Sequence, residues 1–428
     1  MTTLRDATTI DRTAAAAWYV RNRTRSRALF DLIDPSAYYA RPIALRNPIV
    51  FYEGHLPAFS IISFLNRGLG EQGVDARLER LFARGIDPDS IDSAVPRSGA
   101  DTQWPSRDEV LAFGAAADAL ITRAMSEARF DESRPAMRRG EALYTALEHE
   151  AMHQETLLYM WHRLPHEQKL RPLYLPYEVK GEPPAAGTVT IPAGTATLGA
   201  HRAEIVFGWD NEFDAHTVSV DEFEIDRHSV TNADYLPFVE ADHVDPPAFW
   251  IRQDGRWFWR GMFETIPLPP AWPVYTSQKD AVTFAASRGR RLMTEAEFHR
   301  AAYGTPSGEE RFYPWGAEKP DRARGQFDFA SWEPVPAGSR PAGASAWGVH
   351  DLVGNGWEWT SSIFTPFAGF EPMVSYPEYS AEFFDGQHFV MKGASAGTAK
   401  ELIRPSFRNW FRPDYPYVYA KFRTVSSR

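Results

Sequence analysis

Two histidines in the first half of the chain, His149 and His153, stand four residues apart in a stretch with helical spacing of its apolar residues. Residues i and i+4 of an α-helix share one face and lie about one turn apart, so two such imidazoles can bind a single metal ion. Glu155 lies about 200° around the helix from His153, which places its carboxylate outside the ligand set, either behind the ligands or on the surface. A third ligand must therefore come from elsewhere in the chain.

His55 is the candidate for that third ligand. It lies in another predicted helix and faces the interior of a helical bundle if Phe51, Phe59 and Ile62 form the buried stripe. Metal ligands on facing helices converge in the core of a bundle. A helical pair of histidines also occurs without metal, so it is His55 that favours a metal site.

The three histidines do not identify the metal. Three histidines without a thiolate suit Fe, Zn, Cu or Ni. Zinc would keep one water for hydrolysis, whereas six-coordinate iron would keep open positions for both dioxygen and a substrate atom. His162 and His166 repeat the four-residue spacing, but they flank the end of a helix near Pro165, so we expect this second pair to be solvated and structural.

The composition excludes several classes of protein. The 428 residues carry a formal net charge of -10, which argues against a nucleic-acid-binding surface. No apolar run is long enough to span a membrane, and the N-terminal stretch lacks the apolar core of a signal peptide, so we expect a soluble, cytoplasmic protein. Because the chain has no cysteine, any metal must be bound through nitrogen and oxygen.

Apolar residues at helical spacing, separated by polar and Pro/Gly segments, predict a four-helix bundle over residues 1–172. Asp11 is the candidate N-cap of the first helix, and Gly70 marks the end of the second. Ser106 and Glu109 have the spacing of a capping box at the start of the third. The predicted helices cover residues 11–30, 49–69, 106–128 and 138–164.

The pattern changes after Pro172. Residues 173–187 include a Gly- and Pro-rich stretch and are predicted to be an interdomain linker. Residues 188–428 combine short alternating runs with many Gly, Pro and Trp residues, which indicates an α+β domain with long loops. Strands are predicted at 188–191 and 218–225, and helices at 232–240, 277–287 and 294–302.

Several motifs carry a resemblance to a known family. The distant histidine followed by HxxxHxE resembles the DinB-like domain of ergothioneine sulfoxide synthases, and the second half resembles the formylglycine-generating-enzyme fold, a variant of the C-type-lectin fold. The two halves cover nearly the whole chain in the order found in that family. The motifs of the second half are Asp221-Glu-Phe-Glu-Ile-Asp226, Val230-Thr-Asn232, Arg291-Leu-Met-Thr-Glu-Ala-Glu-Phe298, Tyr313-Pro-Trp-Gly316, Gly354-Asn-Gly-Trp-Glu-Trp-Thr360 and Arg404-Pro-Ser-Phe-Arg-Asn-Trp410.

The resemblance implies a non-heme Fe(II) oxidoreductase. Enzymes of this kind use dioxygen to join a sulfur donor to C2 of the imidazole of hercynine, which is Nα-trimethylhistidine. By the family pattern, the iron ligands are His55, His149 and His153.

The resemblance also implies four residues of the reaction site. Tyr376 matches the tyrosine that donates a proton during the reaction with dioxygen, and Tyr379 matches a residue that contacts substrate. Asn409 and Trp410 match residues around the trimethylammonium group of hercynine. That group cannot donate hydrogen bonds, so an aromatic face suits it.

The chain departs from the family pattern at positions that determine which donor binds. Members that use γ-glutamylcysteine have an Asp directly after Asn-Trp and an Arg four residues later, where this chain has Phe411 and Tyr415. A zwitterionic glutamyl group would lose both charged partners. Met152 stands where a glutamine often binds the substrate imidazole, and Lys392-Gly-Ala-Ser395 replaces Gly-Gly-Ser-Trp. We therefore place Met152, Phe411 and Tyr415 in the substrate site and expect a different donor.

Two donors remain open. A selenosugar, as used by the related selenoneine synthases, is favoured over cysteine because a neutral sugar needs no charged clamp and can pack against aromatic side chains. The small Gly54 beside His55 also favours it. Two other classes stay open: a zinc or nickel DinB-type transferase or hydrolase with the same three histidines, and a non-enzymatic protein that binds its ligand through the lectin-like domain.

Overall fold

The computed structural model describes residues 10–83, 103–172 and 178–427. The chain forms two compact units. The first comprises Met1–Pro172 together with two short segments, Ala203–Phe207 and Pro372–Tyr379, and the second comprises the remainder. Of the predicted linker, residues 173–177 lie outside the described residues, and residues 178–187 contain no helix or strand.

The long helices of the first unit form the predicted four-helix bundle, and the short helix Ala76–Leu81 was not predicted. The helices of this unit are α1 (Arg12–Phe30), α2 (Ile49–Ser60) with a π-helical continuation (Ile61–Leu69), α3 (Ala76–Leu81), α4 (Arg107–Glu127) and α5 (Glu141–Arg163). Asp11 caps α1 by accepting a hydrogen bond from the Ala14 amide, and Ser106 caps α4 by accepting one from the Glu109 amide. The π-helical continuation ends at Gly70, whose φ of 74° favours glycine. These helix ends agree with the predicted ones.

The central helix, α5, differs from prediction at its start and near its end. It begins at Glu141 rather than Arg138, because Arg139 and Gly140 adopt left-handed conformations, with φ of 56° and 73°. Buried residues occur around the whole circumference of α5. His162 is consequently only 2% exposed, so the expectation that it is solvated is wrong, while His166 in the following turn is half-buried.

The strands of the second unit form small sheets. They are β1 (Thr188–Ile191), β2 (Gly194–Leu198), β3 (His216–Val220), β4 (Phe223–Asp226), β5 (Trp250–Gln253), β6 (Arg256–Arg260), β7 (Thr265–Pro267), β8 (Arg291–Leu292), β9 (Gly356–Ile363), β10 (Phe389–Ala394), β11 (Asn409–Phe411), β12 (Ala420–Lys421) and β13 (Thr424–Ser427). Two sheets have the orders β1-β4-β13-β8 and β11-β10-β9-β12, and the others are β2-β3 and β5-β6-β7. The run predicted at 218–225 is divided between β3 and β4, because the exposed Asp221 and Glu222 separate them.

The helices of the second unit follow their capping signals. They are α6 (Asn232–Glu240), α7 (Gln278–Ser287) and α8 (Glu295–Tyr303), each preceded by a Thr or Ser whose hydroxyl accepts from a backbone amide of the first turn. The core combines Phe298 of α8 with Ile225 of β4 and Val425 of β13. The predicted α+β domain is therefore confirmed. Within the described part of the chain, no helix is long and apolar enough to cross a membrane.

Candidate metal centre

Three imidazoles from two helices meet in the interior of the first unit. His55 lies on α2, and His149 and His153 lie one turn apart on α5. One ring nitrogen from each residue lies within 4.8 Å of the other two. The Nε2 atoms of His149 and His153 are 3.1 Å apart, a separation that two nitrogens bound at about 2.0–2.1 Å from one ion can adopt. The two histidines of α5 and the distant His55 therefore lie together, within reach of one ion.

His55 is oriented by a backbone carbonyl. Its Nδ1 lies 2.7 Å from the carbonyl oxygen of Phe82, and a carbonyl can only accept, so Nδ1 carries the proton and Nε2 keeps its lone pair. Among the described residues, the buried Nε2 has no hydrogen-bond partner. A hydrogen bond to the nitrogen that does not bind metal is the usual means by which proteins orient a histidine ligand. The orphaned Nε2 fits a metal ligand.

Gly54 makes room for this arrangement. A Cβ atom at that position would lie 2.3 Å from the ring of Phe82, which is far too close for any contact. The glycine therefore lets the Phe82 ring press against α2, where its carbonyl reaches His55. Sequence reasoning attributed this glycine to the donor, whereas the described contact is with Phe82.

The electrostatics favour neutral imidazoles. Burial lowers the pKa of His55 to about 4, against the opposing effect of the Phe82 hydrogen bond. Burial also holds the pKa values of His149 and His153 well below their ordinary value, and the neighbouring histidines add to this. Arg46 lowers the pKa of His153 further. Each imidazole is therefore neutral at neutral pH and has one nitrogen lone pair, and three such nitrogens fit a transition-metal ion.

Aromatic rings enclose the cluster. Phe59 stacks on His149 with ring centroids 3.4 Å apart and an interplanar angle of 9°. Phe51 stacks on His55 at 5.0 Å. These rings restrict rotation of the imidazoles and exclude water from one side of the cluster, which preserves the orientation of the lone pairs.

Part of the predicted reaction site lies in this same unit. The ring of Tyr376 is 6.1 Å from His149 and 4.9 Å from Phe59, centroid to centroid. The Tyr379 hydroxyl lies 3.4 Å from the sulfur of Met152, to which it can donate a hydrogen bond. Residues from distant parts of the sequence thus lie beside the histidines.

The remaining predicted residues belong to the second unit. Asn409, Trp410 and Phe411 form β11 and are half-buried. Trp410 stacks on Phe364 with centroids 4.2 Å apart, and Phe411 stacks on Tyr415 at 5.1 Å. They present a group of aromatic faces on the sheet edge formed by β11.

Two buried carboxylates hold the segment that precedes β11. Glu212 accepts hydrogen bonds from Arg404 Nε at 2.8 Å and Ser406 Oγ at 2.6 Å. Glu295 accepts from Arg408 Nε at 3.1 Å. Burial alone would raise the pKa of Glu212, but Arg404 and the hydrogen bonds hold it below its ordinary value. These charged contacts fix the backbone that leads into β11.

Sequence reasoning missed residues around the histidines that depend on distant contacts. Phe82 is one, and the glycine at position 54 inside a predicted helix was its available signal. Arg46 is another: it is buried and donates to the Tyr159 hydroxyl at 2.5 Å. Glu155, which the sequence left open between a place behind the ligands and the surface, is buried at 8% exposure, because α5 is covered on that side too.

Comparisons with known proteins identify the family. Residues 176–428 match the family model described as Sulfatase-modifying factor enzyme 1-like domain, and residues 19–157 match the DinB superfamily. Hercynine oxygenase from Mycolicibacterium smegmatis is 35% identical over 302 residues, which cover 65% of this chain and 69% of that protein. This chain belongs to the hercynine oxygenase family. Membership makes it an oxidoreductase, and the resemblance read from the motifs is confirmed for both domains.

Other relatives show how much of their length is shared. Hercynine oxygenase from Mycolicibacterium thermoresistibile is 36% identical over 268 residues, covering 57% of this chain and 59% of that protein. Ergothioneine biosynthesis protein 1 from Neurospora crassa is 27% identical over 483 residues, covering 90% of this chain and 54% of that protein. The match to each of these two proteins therefore spans somewhat more than half of its length.

Proposed function

We propose that this hercynine oxygenase family member is a non-heme Fe(II) enzyme that joins imidazole C2 of hercynine to a chalcogen donor at the expense of dioxygen. The observation that carries the proposal is the buried cluster of His55, His149 and His153, which offers three neutral nitrogens. Relatives named hercynine oxygenase support the substrate. Iron is preferred over zinc because a redox-inert ion could not activate dioxygen.

The overall reaction balances without an external reductant. Hercynine loses the hydrogen at C2, and the donor loses the hydrogen of its S–H or Se–H group. Forming the new bond releases two electrons, and oxidising the chalcogen to its oxide releases two more. Dioxygen accepts all four, one oxygen atom remaining on the chalcogen and the other leaving as water.

The residues of the first unit hold the metal and a proton. Fe(II) bound by the three histidines would supply open coordination positions at which dioxygen is activated. His55 is kept in the required tautomer by the Phe82 carbonyl, and Phe59 shields His149 from water. The ring of Tyr376 packs edge-to-face on Phe59 and lies beside His149, and we assign its phenol as the proton donor.

The aromatic residues of the second unit suit hercynine and an uncharged donor. Trp410 offers a ring to the trimethylammonium group, with Asn409 beside it. Phe411 and Tyr415 stack on each other and provide no charge for a zwitterionic amino-acid group. On this basis we propose a selenosugar as the preferred donor, with cysteine as the second candidate.

Turnover assays test the proposal. Protein loaded with Fe(II) under nitrogen would receive hercynine, one donor and then air, and product mass and dioxygen consumption would be followed. We expect a hercynine adduct with the selenosugar and little with cysteine. Efficient turnover with cysteine and none with selenosugar would reverse the donor assignment. Product formation by the zinc-loaded protein without dioxygen consumption would instead favour a DinB-type transferase.

A further inference from the structure

The segment Pro372–Tyr379 belongs to the first unit although it follows α5 by about half the length of the chain. Ser375, directly before Tyr376, is fully buried. Its amide N–H and its hydroxyl both donate to Glu141 Oε1, at 2.8 and 2.9 Å. Its carbonyl oxygen accepts from Arg67 Nη1 at 2.9 Å. Each polar group of this residue is therefore bonded to the bundle.

A fourth contact completes the arrangement. The hydroxyl oxygens of Ser375 and Thr145 are 2.8 Å apart. Since the Ser375 hydroxyl donates to Glu141, the Thr145 hydroxyl donates to Ser375. The two hydroxyls and the carboxylate form a continuous chain in which every donor has an acceptor. We call these contacts of Ser375 with Glu141, Thr145 and Arg67 the Ser375 latch.

The latch and the histidines share one face of α5. Glu141, Thr145, His149 and His153 recur at intervals of four residues, so they form a single stripe with about 6 Å between neighbours along the axis. Ser375 is bound to the first two members of this stripe. The next residue, Tyr376, lies beside His149.

The rest of the segment Pro372–Tyr379 continues along α5. Three residues after Tyr376, Tyr379 reaches Met152, which lies three residues after His149. The segment therefore runs along α5 in the same direction as the helix. The polar contacts of Ser375 are directional and can define this register, whereas the packing of Tyr376 on Phe59 and the contact of Tyr379 with the Met152 thioether have little directional preference.

We propose that Ser375 is a positioning residue that sets the register of the Tyr376 segment along α5 and so holds the phenol at the histidine cluster. The register rests on the contacts alone. The consequence for catalysis rests on the proposed function, in which Tyr376 donates a proton. Arg67 also pairs with Glu378 at 3.7 Å, but both side chains are partly exposed, so this ion pair contributes less to the register than the Ser375 latch does.

Amide hydrogen exchange of the peptide covering residues 372–379 tests the register without any turnover. We expect exchange to rise at least tenfold in Ser375→Ala and in Glu141→Ala, which removes the acceptor, with exchange in α5 beyond its first turn unchanged. Thr145→Val should behave similarly, whereas Thr145→Ser keeps the hydroxyl and should restore protection. Ser133→Ala, which alters an exposed serine of the same unit, is the matched control. Unchanged exchange in Ser375→Ala and Glu141→Ala would overturn the latch.

Steady-state kinetics test the consequence of the Ser375 latch for catalysis. In Ser375→Ala we expect unchanged Fe(II) content, a kcat reduced by about tenfold or more, and more dioxygen consumed per adduct, with a small change in KM for hercynine. Thr145→Ser, which keeps the hydroxyl, should consume nearly as little dioxygen per adduct as the wild-type protein. If exchange rises while kcat and coupling stay at wild-type values, the catalytic positioning role is wrong. If wild-type protein forms no hercynine adduct, the proposed function fails, and the exchange data still decide the latch.

Discussion

The Nδ1 atom of His55 lies 2.7 Å from the carbonyl oxygen of Phe82, and this contact decides which nitrogen faces His149 and His153. The carbonyl reaches His55 because the ring of Phe82 occupies the space that a side chain at Gly54 would fill. A glycine with no direct role in chemistry therefore determines the orientation of a proposed ligand. The relationship links the local sequence of α2 to the geometry of the metal centre.

Gly54→Ala should weaken metal binding. The added Cβ would lie 2.3 Å from the Phe82 ring, so the ring and its carbonyl must move. Loss of such a hydrogen bond lowers metal affinity by about 10-fold to 100-fold, which Fe(II) titration under nitrogen would measure. Gly114→Ala is the matched control, since its nearest atom is at 3.6 Å and alanine gains roughly 0.5–1 kcal/mol in a helix. Wild-type affinity in Gly54→Ala would show that Phe82 does not orient His55.

His149→Ala should abolish stoichiometric Fe(II) binding and adduct formation. The substitution removes one of three nitrogens in a cluster that has no other His, Asp or Glu within the described residues. Metal content after loading and desalting measures the effect. His166→Ala is the matched control, because this histidine is half-buried and outside the cluster. Retention of iron and of adduct formation by His149→Ala would show that His149 is not a required metal ligand.

Tyr376→Phe should separate metal binding from chemistry. The ring packs against Phe59 and lies beside His149, and phenylalanine preserves that packing while removing the proton. Fe(II) content should match wild type, while adduct formation falls by about 10²-fold to 10⁴-fold, the usual contribution of a general acid, or is diverted to other products. Tyr39→Phe, which changes an exposed tyrosine, serves as control. Unchanged adduct formation would remove Tyr376 from the mechanism.

Local signals were sufficient for the long helices of the first unit and for the helices of the second, whereas among the strands they marked only the runs at 188–191 and 218–225. The caps at Asp11 and Ser106 act within one turn, and the i,i+4 spacing of His149 and His153 is a property of any helix. The start of α5 was not predictable from such signals, because Arg139 is in a left-handed conformation that L-residues rarely adopt. The burial of His162 was missed because periodicity reports one apolar face and does not reveal that a helix is covered on all sides.

The contacts around the histidines needed the structure for a related reason. Phe82 approaches His55 across a separation of 27 residues, and Ser375 approaches Glu141 across 234. Sequence patterns report regularities within one element, whereas these contacts join elements whose distance from each other is set by tertiary packing.

Glu212 should give the second unit a pH-dependent contribution to stability. Burial would raise its pKa, but the ion pair and hydrogen bonds with Arg404 and the hydrogen bond from Ser406 outweigh this and hold the pKa below its ordinary value. Because the folded-state pKa is lower than the unfolded one, about 4.3, the contribution is present above the unfolded pKa. Between the two pKa values the unfolded chain binds more protons at Glu212 than the folded protein does, so the contribution decreases as the pH falls. It is lost once the pH has fallen through the folded-state pKa.

Glu212→Gln should therefore destabilise the protein most at neutral pH. Breaking a buried pair leaves Arg404 without its charge partner at Glu212 and costs about 3–5 kcal/mol. Urea midpoints followed by tryptophan fluorescence should differ most from wild type near neutral pH and converge as the pH is lowered through the acidic range. Glu309→Gln, at an exposed glutamate, should follow wild type throughout. A difference that stays constant or grows on acidification would mean that the Glu212 carboxylate does not stabilise the segment before β11 through its charge.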